Sequence, residues 1–167
     1  MTKRFRQYAG LLAAIAAYYL IHEGAHLVYA LIIGTFKQVN IDALGVQIDV
    51  YAEQMTDLQM GIFCIVGSVA TLLTGWGLSI AADAIGRSPS KVFKACMYYV
   101  TIALLLIDPL YLSVLCGFFG GGDMNGIALL VPEMAARILY SAVLVINICL
   151  FWKRVLPAYK AAIAGQP

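Results

Sequence analysis

The sequence predicts an all-α integral membrane protein, with about four transmembrane helices and a short membrane-associated β-hairpin between the first two. Three observations carry that prediction. Of 167 residues, 62% are hydrophobic and only 12% charged, whereas a soluble domain carries about 25% charged residues. So much apolar surface does not fit inside a core this small, which makes lipid the fitting solvent. Four apolar runs are each long enough for a bilayer, which takes about 20 residues. One interposed segment alternates apolar and polar residues instead.

The first span is expected near residues 8–33. "TKRFR" followed by "GLLAAIAAYYLI" has the look of a secretory signal, but the apolar run resumes after two histidines and continues to Ile33. With no small-residue cleavage site to close it, it reads as a retained span. Next, "KQVNIDALGVQIDVY" alternates around Ala43-Leu44-Gly45, the pattern of a hairpin over 36–51. The second span, 61–85, carries Gly67, Thr71, Gly75 and Ser79 at intervals of four, a small-residue ridge that lets another helix approach closely. The third, 92–116, contains Asp108 before Pro109, and a glycine-rich stretch, "GFFGGGDMNGIALLVPE", leads to the fourth at 134–152. No internal repeat divides the chain, so 1–167 reads as a single membrane-embedded domain.

Nine of the eleven basic residues (Lys3, Arg4, Arg6, Arg87, Lys91, Lys94, Lys153, Arg154 and Lys160) fall on one side of this topology, leaving Lys37 and Arg137 opposite. The positive-inside rule therefore puts both termini in the cytoplasm, in a multi-pass protein of the cell membrane. A net charge of +2 gives no nucleic-acid signature. Cys64, Cys96, Cys116 and Cys149 stand singly in apolar surroundings and read as buried soft hydrophobes rather than disulfides or ligands.

The only two histidines sit in the first span, in "HEGAH". Residues four apart share a helix face, so His22 and His26 project side by side and can hold one metal ion, with Glu23 placed to handle protons. Zinc with such ligands lowers the pKa of bound water toward about 7, the basis of metal-assisted amide hydrolysis. An ionisable group inside a span costs roughly 2.5–3.5 kcal/mol on insertion scales and defaults to a functional reading. Two histidines hydrogen-bonded between helices are the plain alternative, which leaves Glu23 without a role.

The third ligand has to be a carboxylate. Asp123, after three glycines that permit a bent backbone, is the first choice, because spans one and three run the same way and their distal ends can meet. Asp108 and Glu53 are the alternatives. Asn125 is a candidate contact to substrate, or simply a turn residue.

These residues resemble the site-2 protease family of intramembrane zinc metalloproteases, over roughly residues 15–130. "HEGAHLVYALIIG" is similar to the family's metal-binding helix, which also ends in glycine before a membrane-associated hairpin. "VGSVATLLTG" stands where the family has Gly-Pro-x-x-Asn, with Ser68 and Thr71 in place of proline and asparagine. "GGGDMNGI" stands where the family places an aspartate ligand followed directly by glycine. The resemblance implies Zn2+ on His22, His26 and Asp123, Glu23 as catalytic base and acid, Thr71 near the substrate, and a membrane protein or peptide as substrate. It also implies a catalytic site open to the cytosol, opposite to the basic-residue count. The expected function is thus intramembrane proteolysis. The alternatives are a catalytically inactive membrane scaffold, or a metal transporter or sensor using the same ligands.

Overall fold

A computed structural model describes residues 2–42 and 45–164. The long helix α1 (Lys3–Ile32) leads into an antiparallel hairpin of β1 (Phe36–Asp42) and β2 (Gly45–Val50). The expected turn at Ala43-Leu44 lies outside the described residues. A 3-10 turn (Ala52–Gln54) precedes α2 (Asp57–Ile80) and the short α3 (Ala82–Gly86). Helix α4 (Lys91–Leu110) continues through a π-turn (Tyr111–Leu115); a glycine loop then leads to the one-turn helix α5 (Asp123–Ile127). The last helix runs as α6 (Glu133–Leu150), a second π-turn (Phe151–Val155) and α7 (Leu156–Ala164).

Four helical stretches, Lys3–Ile32, Asp57–Ile80, Lys91–Leu115 and Glu133–Ala162, are long and apolar enough to cross a membrane. This is compatible with a multi-pass membrane protein, as is the apolar outer surface, where Leu20, Ile32 and Ile80 are each more than 70% exposed.

The helix starts follow local chemistry. Thr2, Thr56 and Ser90 each accept a backbone N–H through their side chains, and Thr56 forms a reciprocal capping box with Gln59. These caps start α1 and α2 before 8 and 61, where hydropathy alone began the spans. At the other end, Lys153 and Arg154 do not stop the fourth span at 152, because they lie within a helix that continues to Ala164.

Small residues set the packing. Ala14 on α1 meets Val100, Ala103 and Leu104 of α4 in a buried cluster. Pro109 removes one helical N–H from α4. The Leu105 carbonyl that this N–H would have met accepts instead from the Asn147 amide on α6, at 2.7 Å. The Asn147 carbonyl in turn accepts from the Trp76 indole at 2.8 Å. Asn147 thus ties α2, α4 and α6 together at the break. A Ser68–Tyr140 hydroxyl pair at 2.7 Å makes a second tie between α2 and α6.

Candidate metal centre

His22 and His26 lie one turn apart on α1, both buried, with Nε2 atoms 3.2 Å from each other. The Asp123 Oδ2 atom from α5 is 3.2 Å from His22 Nε2 and 3.6 Å from His26 Nε2. Donor atoms held at about 2.0–2.1 Å from a tetrahedral zinc ion stand about 3.3 Å apart. The three edges measured here match that spacing, and two imidazoles with one carboxylate are a donor set that zinc accepts. Among the described residues, these three form the group that could hold a metal ion.

The approach of α2 depends on Gly67. A Cβ added there would lie 2.5 Å from His26 Nε2 and 2.8 Å from His22 Nε2. Any other residue at position 67 would therefore fill the space in which the ring nitrogens converge. That clash gives the small-residue ridge of α2 a second purpose beyond helix packing.

Behind His22 stands Asp108. Its two carboxylate oxygens are 3.2 and 3.3 Å from His22 Nδ1, on the ring edge opposite Asp123. The carboxylate is only 1% exposed and accepts hydrogen bonds from the Tyr18 and Thr71 hydroxyls. Donating Nδ1–H to Asp108 leaves the Nε2 lone pair facing the other donors, the arrangement by which a carboxylate fixes a ligating histidine's tautomer. By contrast, buried His26 Nδ1 has no hydrogen-bond partner among the described residues.

Asp123 arrives by a different route. Gly120, Gly121 and Gly122 have φ of +81°, +88° and +47°, a left-handed run that side-chain-bearing residues avoid. It turns the chain back from the end of α4 so that Asp123, at the first position of α5, faces α1. The Asn125 amide closes this loop by donating to the Gly120 carbonyl at 3.1 Å. The Cys64 thiol on α2 contacts Asp123 from the other side. Burial acts to raise the Asp123 carboxyl, but hydrogen bonds and charge from His22 and His26 outweigh it and hold it at about 2.

Glu23 is half-buried and lines two clefts that meet at the site, of about 460 and 390 Å³. One is walled by Tyr18, Ile107 and Leu110, the other by Phe63 and Cys64; His22, Gln47, Tyr111 and Asp123 border both. Strand β2 forms a shared wall, and its Ile48 backbone N–H faces the Glu23 carboxylate.

Of the residues expected from sequence, His22, Glu23, His26 and Asp123 come together around these clefts. Four others stand differently. Asp108, expected as an alternative ligand, meets the Nδ1 edge of His22 and sits behind the ring rather than among the donors. Thr71, expected near substrate, is fully buried, with its hydroxyl committed to Asp108 and the Ser68 carbonyl. Glu53, the other alternative ligand, is exposed in the 3-10 turn and outside the donor group. Asn125 is exposed and serves as a loop-closing residue, its amide turned to Gly120. Sequence reasoning missed Tyr18 and Cys64. The first was legible, since Tyr18 stands four residues before His22 on the same helix face.

The fold and the site together define a chain with four helices apolar enough to cross a membrane and a three-donor group that could bind a metal ion. No family model, curated protein or solved structure matches it.

Proposed function

We propose that this chain is an intramembrane zinc metalloprotease of the site-2 protease type, cleaving membrane-associated proteins or peptides. The observation that carries the reading is the convergence of His22 Nε2, His26 Nε2 and Asp123 Oδ2 beside Glu23, inside two open clefts. His22, His26 and Asp123 would hold the zinc, which when bound polarises a water and a substrate carbonyl. Three protein donors leave a coordination position open, the habit of catalytic rather than structural zinc.

Glu23 takes the proton from the attacking water and returns it to the leaving amine nitrogen as the C–N bond breaks. Asp108 keeps His22 in one tautomer throughout. A helical substrate has its amides already paired and has to unwind locally before cleavage. Strand β2 offers the unwound segment a partner. Ile48 N–H faces Glu23 and hence the cleft, and Val46, two residues away, faces the same edge. An extended peptide can add to that edge as a further strand. Val46→Pro removes one edge donor while leaving Ile48 and Glu23 in place, so cleavage should drop about ten-fold or more with zinc content unchanged. Unchanged cleavage would exclude strand addition.

The principal test is metal analysis of the purified protein and its Glu23→Gln form, with a reporter-peptide assay on both. The protease reading expects one zinc per chain in each and cleavage in the parent alone. Zinc with no cleavage in either would favour a scaffold or transporter.

A further inference from the structure

The opposite end of the bundle holds a second cavity, unrelated to the metal donors. A volume of about 310 Å³ lies between the N-terminal turns of α1 and α4, open to the surface at the exposed Lys3 and Lys91 and lined also by Arg6, Gln7, Tyr98 and Tyr99. Residues 3, 6 and 7 lie on one face of α1, and 91, 98 and 99 on the facing side of α4. Three cations thus converge on one space whose lining contains no carboxylate. Among the described residues, none of the three has an ion-pair partner. Two other cations of the same end, by contrast, are engaged. Lys94 donates to the Ala162 carbonyl, and Arg154 donates to the Ser79 and Ile80 carbonyls and pairs with Asp83. Among the described residues Lys3, Arg6 and Lys91 have no such duty, and both helices also direct the positive ends of their dipoles here.

An apolar groove of about 240 Å³ adjoins this cavity. Tyr99 lines both, and the groove follows the α1–α4 seam past Leu11, Ile102 and Leu106 to Ile107 and Leu110. The last two also border the larger metal-site cleft. Gly10 lets Tyr99 wedge against α1, since a Cβ there would stand 2.3 Å from the Tyr99 ring. A basic pocket continued by an apolar channel along the same two helices has the shape of a phospholipid, with headgroup and tail in separate compartments.

We propose that Lys3, Arg6 and Lys91 bind the phosphate of one anionic lipid headgroup, with an acyl chain lying in the α1–α4 groove toward the candidate metal cleft. Basic pockets at the ends of membrane helices recognise anionic headgroups by this chemistry. The inference is independent of the protease reading and survives its failure.

The test is native mass spectrometry of the full chain in detergent, with added dioleoyl phosphatidylglycerol or dioleoyl phosphatidylcholine. The parent should retain one phosphatidylglycerol in preference to phosphatidylcholine. Arg6→Gln/Lys91→Gln should weaken that retention about 25-fold, at about five-fold for each cation removed near an anionic headgroup. Arg6→Lys/Lys91→Arg should keep it. A Lys153→Gln/Lys160→Gln control removes as much charge from the same end outside the cavity and should keep it too; an equal loss there would reduce the site to diffuse surface charge and overturn the proposal. Leu11→Trp fills the groove without touching a cation and should lower retention of the long-chain lipid. That variant keeps the question decidable if the double glutamine form does not fold. Unchanged retention in Leu11→Trp, or displacement of the lipid by millimolar inorganic phosphate, would overturn the lipid assignment, the latter in favour of a free anion.

Discussion

The two halves of the candidate metal centre are built on different principles. His22 is fixed from behind: Asp108 holds its Nδ1, Tyr18 and Thr71 hold Asp108, and all four sit on long helices. Asp123 comes from a five-residue helix after three left-handed glycines, and its side chain is 22% exposed. One half is a buried hydrogen-bonded network, the other a carboxylate delivered by a loop. For a metal held here, the helix half is the one built to keep its geometry and the loop half the one with freedom to adjust.

Substitutions can break this contrast, beginning with the largest effect. Asp123→Ala removes the adjustable ligand outright. Zinc per chain, measured by atomic absorption, should fall from about one to near zero, and cleavage should fall with it by about a thousand-fold or more. Gly67→Ala attacks the fixed half through sterics. With a Cβ 2.5 Å from His26 Nε2, overpacking of this kind costs about 1–3 kcal/mol, so both melting temperature and zinc content should drop. Retention of full zinc would show that the rings do not converge beneath α2.

A subtler change tests the support behind His22. Asp108→Asn keeps the shape and removes the charge, and should weaken zinc affinity about 10–100-fold in chelator competition without unfolding the protein. If Asp108 were instead a ligand, zinc would be lost wholesale, as in Asp123→Ala. Smallest is Gly121→Ala in the loop, where φ is +88°. A left-handed backbone costs a side-chain-bearing residue about 1–2 kcal/mol. Its Cβ would also meet the Asn125 amide group at 2.2 Å, so the loop should loosen with only a small loss of zinc affinity.

The same contrast explains what could be read from sequence. His22, Glu23 and His26 were legible because their relation is local: four residues on a helix is a fixed geometry. The four long apolar stretches and the hairpin were legible for the same reason, through period and length. Asp123 was reachable only by combining topology with the glycines before it. Asp108 shows where such reasoning stops. Sequence placed an acid near the histidines, but nothing in spacing tells which ring nitrogen it meets, and that alone separates a ligand from a support. Thr71 was read by alignment to a motif that faces substrate, whereas here it faces Asp108, because α2 packs that side into the core. The basic cavity was hidden for another reason. Counting lysines and arginines reports the end of the bundle they occupy, but whether three of them converge depends on how α1 and α4 meet.

In the reading proposed above, two imidazoles and one loop carboxylate hold a single zinc. Zinc K-edge X-ray absorption on the zinc-loaded protein tests it most directly. Zinc held this way gives a nitrogen and oxygen shell at about 2.0–2.1 Å with the multiple-scattering signature of two imidazoles. A sulfur neighbour at about 2.3 Å, which would put Cys64 where Asp123 belongs, or a protein that takes up no stoichiometric zinc, would contradict it.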